Sequence, residues 1–370
     1  MPRSVRFALS CTAVLAALAA AAGAARGDDV AWTDARALGV EGRGWAESDL
    51  AAPFDRLPHK AQGVVRDAVW GLSRHSAGLT VRFVAATPTI HLRWRLTSAE
   101  LAMKHMPATG VSGLDLYARD GRGGWRWAAC AAPNDAGVAQ AAVVGGLAAG
   151  RREWLLFLPL YNGLEALEIG VPEGATLEPA PPAGPGKPVV FYGTSITHGA
   201  CASRPGMCHT AILRRRLDRP VVNLGFSGSG RMELELADLL AEIDAAAYVI
   251  DCCPNLAPAD TAARTGPFVR RLRAARPDVP ILLVEDRRYT DAWIRESQAA
   301  VNDGNHAALR AAFDELVAEG VTGLHYLPGD LLLGDDAEGA VDSSHPTDLG
   351  FQRQAAAFEA LLRPLLRGGP

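Results

Sequence analysis

The sequence predicts an α/β protein in two parts: an N-terminal β-sandwich of jelly-roll type, then a three-layer α/β/α domain on a parallel sheet. Three observations carry this. Residues 89–97, TIHLRWRLT, alternate Ile90, Leu92, Trp94 and Leu96 against His91, Arg93 and Arg95, the period of a half-buried strand. From residue 188 onward, short apolar runs alternate with helical segments, the pattern of a parallel sheet covered on both faces. Between them lies EGATLEPAPPAGPGKP, residues 173–188, whose Pro, Gly and Ala density marks a linker. The expected divisions are 1–27, 28–172, 173–187 and 188–370, the two larger of ordinary domain size.

Residues 1–27 have the order of a secretory signal peptide. Arg3 and Arg6 precede an apolar stretch from 7 to 22, and small residues follow in AAGAARGDD. A membrane-spanning helix needs about 20 apolar residues, and this stretch is too short and too rich in Ala. Cys11 lies too early in the run for a lipoprotein site. The expectation is an exported protein without a stable membrane anchor. In 28–172, GLTVRF, TIHLRWRLT, GLDLYARD, WRWAAC, EWLLFLPL and LEALEIGV read as short strands separated by turn signals such as RDGRGG. In 188–370, PVVFYG, PVVNLGFSG, AAYVIDCCPN, VPILLVEDR and LHYLPGDLLL read as strands. Helical stretches separate them, including HTAILRRRL, MELELADLLAEI, TGPFVRRLRAA and residues 306–319, and FQRQAAAFEALL closes the chain.

Composition excludes some functions. A formal net charge of −4 and no Lys/Arg-rich run argue against nucleic-acid binding. Without the leader, Cys130, Cys201, Cys208, Cys252 and Cys253 remain, an odd number. Cys201 and Cys208 could bridge in an oxidising compartment, Cys252 and Cys253 read as buried thiols, and no cysteine spacing makes a zinc site.

In parallel sheets ligands bind at the carboxyl ends of the strands, so the polar residues there matter most. They are Thr194 and Ser195 after the first strand, Gly228 after the second, Asn255 after the third, and Asp342 and His345 in VDSSHPTD before the last helix. A serine hydroxyl becomes a nucleophile when a base takes its proton and a carboxylate orients the base. Ser195, His345 and Asp342 can fill those roles. Asp342 and His345, three residues apart, can present both side chains to one spot, with Pro346 suited to the first helical position. The N–H groups of Ser195 and Gly228 and the Asn255 amide can stabilise an oxyanion. Capping of a helix is the competing use of Ser195.

Ser, Gly, Asn and Asp-x-x-His in this order across residues 187–366 resemble the four blocks of the SGNH (GDSL-type) hydrolase superfamily. GLDLY, residues 113–117, resembles the Gly-x-Asp-Leu-Tyr signature of the β domain in one two-domain branch, so the resemblance covers nearly the whole mature chain. It implies an esterase or acylhydrolase with Ser195 as nucleophile, His345 as base, Asp342 as its orienter, and an oxyanion hole of Ser195, Gly228 and Asn255. Two departures stand out: GTS has Thr194 where the family commonly has aspartate, and Leu256 follows Asn255 where it has Asp. Analogy with two-domain relatives points to acetyl esters of carbohydrate, with no metal or other cofactor. The rival expectations are a lipid or thioester acylhydrolase, and a non-catalytic carbohydrate-binding protein on a hydrolase scaffold.

Further residues are candidates for substrate contact. Thr194 and His198 flank Ser195, Glu285 and Asp286 end the fourth strand, and Lys104, His105 and Asp115 lie around KHMPATGVSGLDLY. A turn, a strand terminus or a hairpin connection explains each equally simply. Asp335 and Asp336 read as a solvated turn, and Trp94, Trp125 and Trp127 as core or as a sugar-stacking platform.

Overall fold

The computed structural model describes residues 29–135, 137–181 and 186–367, so the leader reading of 1–27 lies outside the described residues. The N-terminal part contains β1 (Val30–Asp34), β2 (Val40–Glu41), β3 (Thr80–Ala86), β4 (Ile90–Leu96), β5 (Leu114–Arg119), β6 (Trp125–Ala131), β7 (Val138–Val144), β8 (Arg152–Phe157), β9 (Leu164–Pro172) and β10 (Thr176–Pro179). Three short helices interrupt it: α1 (Ala35–Leu38), α2 (Asp67–Ser73) and α3 (Ala108–Val111). One sheet has the order β1-β9-β4-β7 and the other β10-β3-β8-β5-β6, all antiparallel, with β2 paired to β3. The two sheets share a core in which Leu92 and Trp94 of β4 meet Phe83, Leu116 and Trp154. β4 alternates as its sequence predicts. One expectation is corrected: Thr176–Pro179, inside the supposed linker, is an edge strand paired to β3, where its proline is tolerated.

β8 explains why EWLLFLPL reads as a continuous apolar run. Trp154 and Leu156 point into the sandwich core, whereas Leu155 and Phe157 point into the core of the next domain. A strand buried on both faces needs apolar residues at every position. The Asp-Leu-Tyr stretch divides the same way. Leu116 enters the sandwich core, while Asp115 and Tyr117, two residues apart and so on one face, meet the C-terminal domain. Asp115 accepts from Arg204 Nη1 at 2.7 Å and from the Gly206 N–H at 2.8 Å.

The C-terminal domain runs β11 (Val189–Gly193), α4 (Ser195–His198), α5 (His209–Arg216), β12 (Val221–Gly225), α6 (Leu234–Ala241), β13 (Ala247–Asp251), α7 (Pro258–Ala275), β14 (Ile281–Val284), α8 (Glu296–Ala318), β15 (Leu324–Leu327) and α9 (Asp348–Arg367). Its sheet is parallel, in the order β12-β11-β13-β14-β15. Val190 and Tyr192 of β11 pack with α6, α7 and α8 on one face; Val189 and Phe191 pack with α5 and α9 on the other. The last helix starts at Asp348, two residues beyond Pro346; Pro346 instead pairs with Ala340 in an isolated bridge. Among the described residues no helix is long and apolar enough to cross a membrane.

Candidate active site

The strand order places β11 between β12 and β13, so the chain leaves β11 toward opposite edges of the sheet, the arrangement that opens a crevice at the strand ends. Ser195 is the first residue of α4, directly beyond β11. The backbone there is tightly nested. The Gly193 carbonyl accepts the Phe226 N–H at 2.9 Å, and the Gly230 carbonyl accepts Asn255 Nδ2 at 3.1 Å. A side chain at Gly225 would collide with the backbone of His198, so only glycine lets β12 pass this close to α4. The first two blocks are thereby held together by main-chain contacts, and the Asn255 side chain ties the third to them.

Ser195 Oγ lies 2.7 Å from His345 Nε2, and His345 Nδ1 lies 2.8 Å from Asp342 Oδ2. The carboxylate fixes the proton on Nδ1, leaving Nε2 to accept from the serine hydroxyl. Asp342 also accepts the His345 backbone N–H at 2.8 Å and the Ser344 N–H at 3.3 Å. The loop itself is closed by the Val341 N–H donating to the His345 carbonyl and the Thr347 N–H to that of Gly339. Burial raises the Asp342 carboxyl, but the His345 N–H and ring and the Ser344 N–H outweigh it and leave it below the usual carboxylate range. It therefore stays ionised opposite the imidazole at neutral pH.

As the first residue of α4, Ser195 has a backbone N–H with no partner inside the helix. Gly228 is exposed with φ +65°, a left-handed conformation, and its carbonyl accepts from Arg231 Nε at 3.0 Å. Asn255 uses one amide hydrogen on Gly230 and has a second to offer. Gly230 lies against the backbone of Gly193 at the end of β11, and the Asn255 amide is bonded to the Gly230 carbonyl.

The remaining expected contacts divide sharply. His105 belongs with the cluster: it sits at the tip of a tight hairpin closed by reciprocal Met103–Met106 bonds, with its ring edge-on to His345 at 5.9 Å between centroids. Lys104 shares that tip and is exposed. The others are corrected. Thr194 is fully buried and its hydroxyl caps α4 by accepting the Ile196 N–H at 3.3 Å. His198 is fully buried, stacked on Tyr161 at 4.1 Å, and burial with the Arg56 charge pushes its imidazole well below the usual range. Asp115 is a clamp between domains. Glu285 accepts from Tyr326 Oη at 2.5 Å and the Gly329 N–H at 2.8 Å, and Asp286 is buried against Asn302. Cys201 and Cys208 are free thiols rather than a disulfide. Burial and the Asp342 charge push the Cys201 thiol up to about 12, so it is no rival nucleophile. Trp94 is core, and Trp127, half exposed, donates to Asp115.

Sequence reasoning missed the groups beneath the site. Arg56, from the N-terminal part, is buried and donates to the Gly225 carbonyl at 2.7 Å and the Asn223 carbonyl at 3.1 Å, at the root of the Gly228 loop. Asp251, at the end of β13, accepts Thr197 Oγ1 at 2.9 Å and Arg287 Nη2 at 2.6 Å, and Arg287 continues to Gln354 Oε1 of α9 at 2.8 Å. Tyr161 Oη donates to the Ser195 carbonyl at 3.3 Å. No local spacing announces such pairings. The Arg287 that closes them reads in sequence as one more charge in EDRR.

Comparisons with known proteins agree with this architecture. Residues 186–363 match the model of the GDSL-like lipase/acylhydrolase family, and residues 30–177 that of the GxDLY N-terminus of SGNH hydrolase-type esterases. A protein from Bacteroides ovatus ATCC 8483 named as a GDSL-like lipase is 31% identical, with a TM-score of 0.86 over 92% of this chain and 98% of its own. Two more distant structures share the fold. Salicylyl-acyltransferase SsfX3 of a tetracycline biosynthetic pathway is 20% identical, with TM-score 0.69 over 91% of this chain and 94% of its own. A family two carbohydrate esterase from Clostridium thermocellum, in complex with cellohexaose, is 14% identical, with TM-score 0.57 over 79% and 93%. No curated protein matches the sequence. With both halves matched and the Bacteroides protein aligned almost end to end, the chain belongs to the GDSL-like (SGNH) lipase/acylhydrolase family, in its GxDLY two-domain form, and is an ester hydrolase.

Proposed function

We propose that the protein is an exported serine esterase that removes short acyl groups, acetyl above all, from carbohydrate. The observation that carries the reading is the unbroken chain Ser195 Oγ to His345 Nε2 to His345 Nδ1 to Asp342. As Ser195 Oγ attacks the ester carbonyl, its proton passes to His345 Nε2, and Asp342 stabilises the imidazolium. The carbonyl oxygen, now negative, is held by the N–H groups of Ser195 and Gly228 and by the Asn255 amide. Collapse expels the alcohol, which takes the proton from His345 and leaves an acyl-serine. A water then gives its proton to His345, attacks the acyl carbon, and releases acid and free Ser195. None of these steps calls on a metal or cofactor.

Carbohydrate as the alcohol is supported by a groove of about 480 Å³ next to the catalytic loop. It is lined by Tyr289, Thr290, Trp293, Asp330 and Asp335, and the Thr290 N–H donates to the Ser343 carbonyl at 2.9 Å. Trp293 is 78% exposed, which costs a large apolar side chain its burial unless a ligand covers it. A flat ring flanked by carboxylates suits stacking on a sugar and hydrogen bonding to its hydroxyls. The esterase complexed with cellohexaose shares the fold and agrees with this choice.

The test is hydrolysis of p-nitrophenyl esters from acetate to decanoate, and of acetylated polysaccharide, by wild type, Ser195→Ala and Trp293→Ala. Acetate preference that vanishes with Ser195→Ala is expected. Trp293→Ala is expected to raise KM several-fold on the polysaccharide while leaving p-nitrophenyl acetate turnover within about twofold. A preference for acyl chains of eight or more carbons would assign a lipid acylhydrolase instead.

A further inference from the structure

We propose that His105, Cys201 and His345 together form a binding site for one zinc-like divalent cation, and that its occupancy switches the esterase off. The three side chains come from distant stretches: the hairpin tip of the β domain, the loop after α4, and the loop that carries Asp342. One donor atom from each lies within 4.8 Å of the other two. A tetrahedral zinc ion with bonds of about 2.0–2.3 Å places its ligands roughly 3.3–3.8 Å apart, so side-chain movements of about 1 Å close the set. Two imidazoles and one thiolate suit a borderline-soft metal, and three protein ligands leave a fourth position for water.

The surroundings favour that closure. Cys201 is buried and held at φ +71° in a loop fixed on both sides. The Ala202 N–H donates to the Gly199 carbonyl, and the Ser203 N–H and hydroxyl donate to Asp348 at 2.9 and 2.5 Å. His105 is exposed on a two-residue tip, so its ring is free to swing toward the other two. The Asp342 carboxylate beside His345 adds negative charge where a cation would sit. On binding, the Cys201 thiol releases its proton to solvent as the metal–sulfur bond forms, and both histidines ligate as neutral rings.

Binding and turnover exclude each other because His345 has no spare nitrogen. Its Nε2 faces Ser195 and its Nδ1 faces Asp342, so ligation through either breaks the proton path. The switching half of the proposal rests on His345 acting as the base; the binding half does not.

The experiment uses the full chain and two readouts. Cobalt(II) titration, followed by absorption, is expected to give one ion per chain with a near-ultraviolet sulfur-to-cobalt charge-transfer band. Cys201→Ser should abolish the band, and His105→Ala should weaken binding at least about tenfold, since even outer-shell losses cost 10- to 100-fold. In parallel, zinc chloride should inhibit p-nitrophenyl acetate hydrolysis, reversibly with EDTA, at a concentration that rises at least about tenfold in both variants. No charge-transfer band, or a band unchanged in Cys201→Ser, would overturn the site. Metal binding without inhibition of an active enzyme would overturn the switch. A wild type that turns over no ester would defeat the esterase reading while the cobalt titration still decides the site.

Discussion

Two polar groupings joined through α4 behave in opposite ways. The Ser195–His345–Asp342 chain lies at the rim, with the His345 and Asp342 side chains 26% and 42% exposed. The Asp251–Arg287–Gln354 group lies directly behind it, with Asp251 and Arg287 at 0% and 1%. The rim has to open to substrate and water, so its hydrogen bonds are few and carried by loops. The buried group touches no substrate, yet it ties α4, the ends of β13 and β14, and α9 to one another. The contrast shows how reacting groups on loops keep their distances: the loops are short, and their roots are anchored in buried charge.

The comparison breaks most visibly at Arg287. Removing its guanidinium leaves the Asp251 carboxyl in the core without its charge partner, so Arg287→Ala should cost about 3–5 kcal/mol of unfolding free energy, read from urea melts. A cost below about 1 kcal/mol would mean that the buried pair anchors nothing. At the rim, Asn255→Ala removes one oxyanion donor and should lower kcat about 100- to 1000-fold with little change in the melt. A loss under about tenfold would take Asn255 out of the oxyanion hole.

The smallest effect is expected at Asp286, buried beside Asp251 and Arg287. Burial is the main cause that pushes its carboxyl up to about 7. Between the unfolded value near 3.8 and about 7 the folded protein then holds a proton that the unfolded chain has lost. Stability from this residue is therefore greatest at the acid end of that window and declines as pH rises through 7, by at most about 1.4 kcal/mol per pH unit. Asp342 works in the opposite sense, its depressed carboxyl contributing stability that is lost only as pH falls below the ordinary carboxylate range. Melts of wild type and Asp286→Asn should differ in slope between about pH 4 and 7 and run parallel between pH 7 and 8. Parallel curves throughout would show Asp286 to be ionised in the fold.

Much of this architecture is legible in the sequence because it depends on periodicity and on local turns. β4 alternates, the runs of β11 to β14 are buried throughout and apolar but for Asn223 and Asp251, and the glycines that end β11 and β12 permit contacts that no other residue would. Asp342 and His345 meet through a three-residue loop, which spacing alone can suggest. What stayed hidden depends on partners far away in the chain. Asp115 reads as a polar residue in a strand until Arg204 faces it, and the polar stretch before residue 306 reads as loop. In the fold Asn302 and Asn305 donate from α8 to the carbonyls of Arg287 and Leu256, so the helix begins ten residues earlier, at Glu296. The cluster of His105, Cys201 and His345 is invisible to any spacing rule, because the docked β domain supplies one of its members.

The claim that Ser195 is a nucleophile activated by His345 is tested most directly by mass spectrometry after treatment with an organophosphonate fluoride, which modifies activated serines. Wild type should gain one adduct on the peptide containing Ser195, His345→Ala should label at least about 1000-fold more slowly, and Ser195→Ala should gain none. An adduct on another residue, or equal labelling of wild type and His345→Ala, would contradict the account.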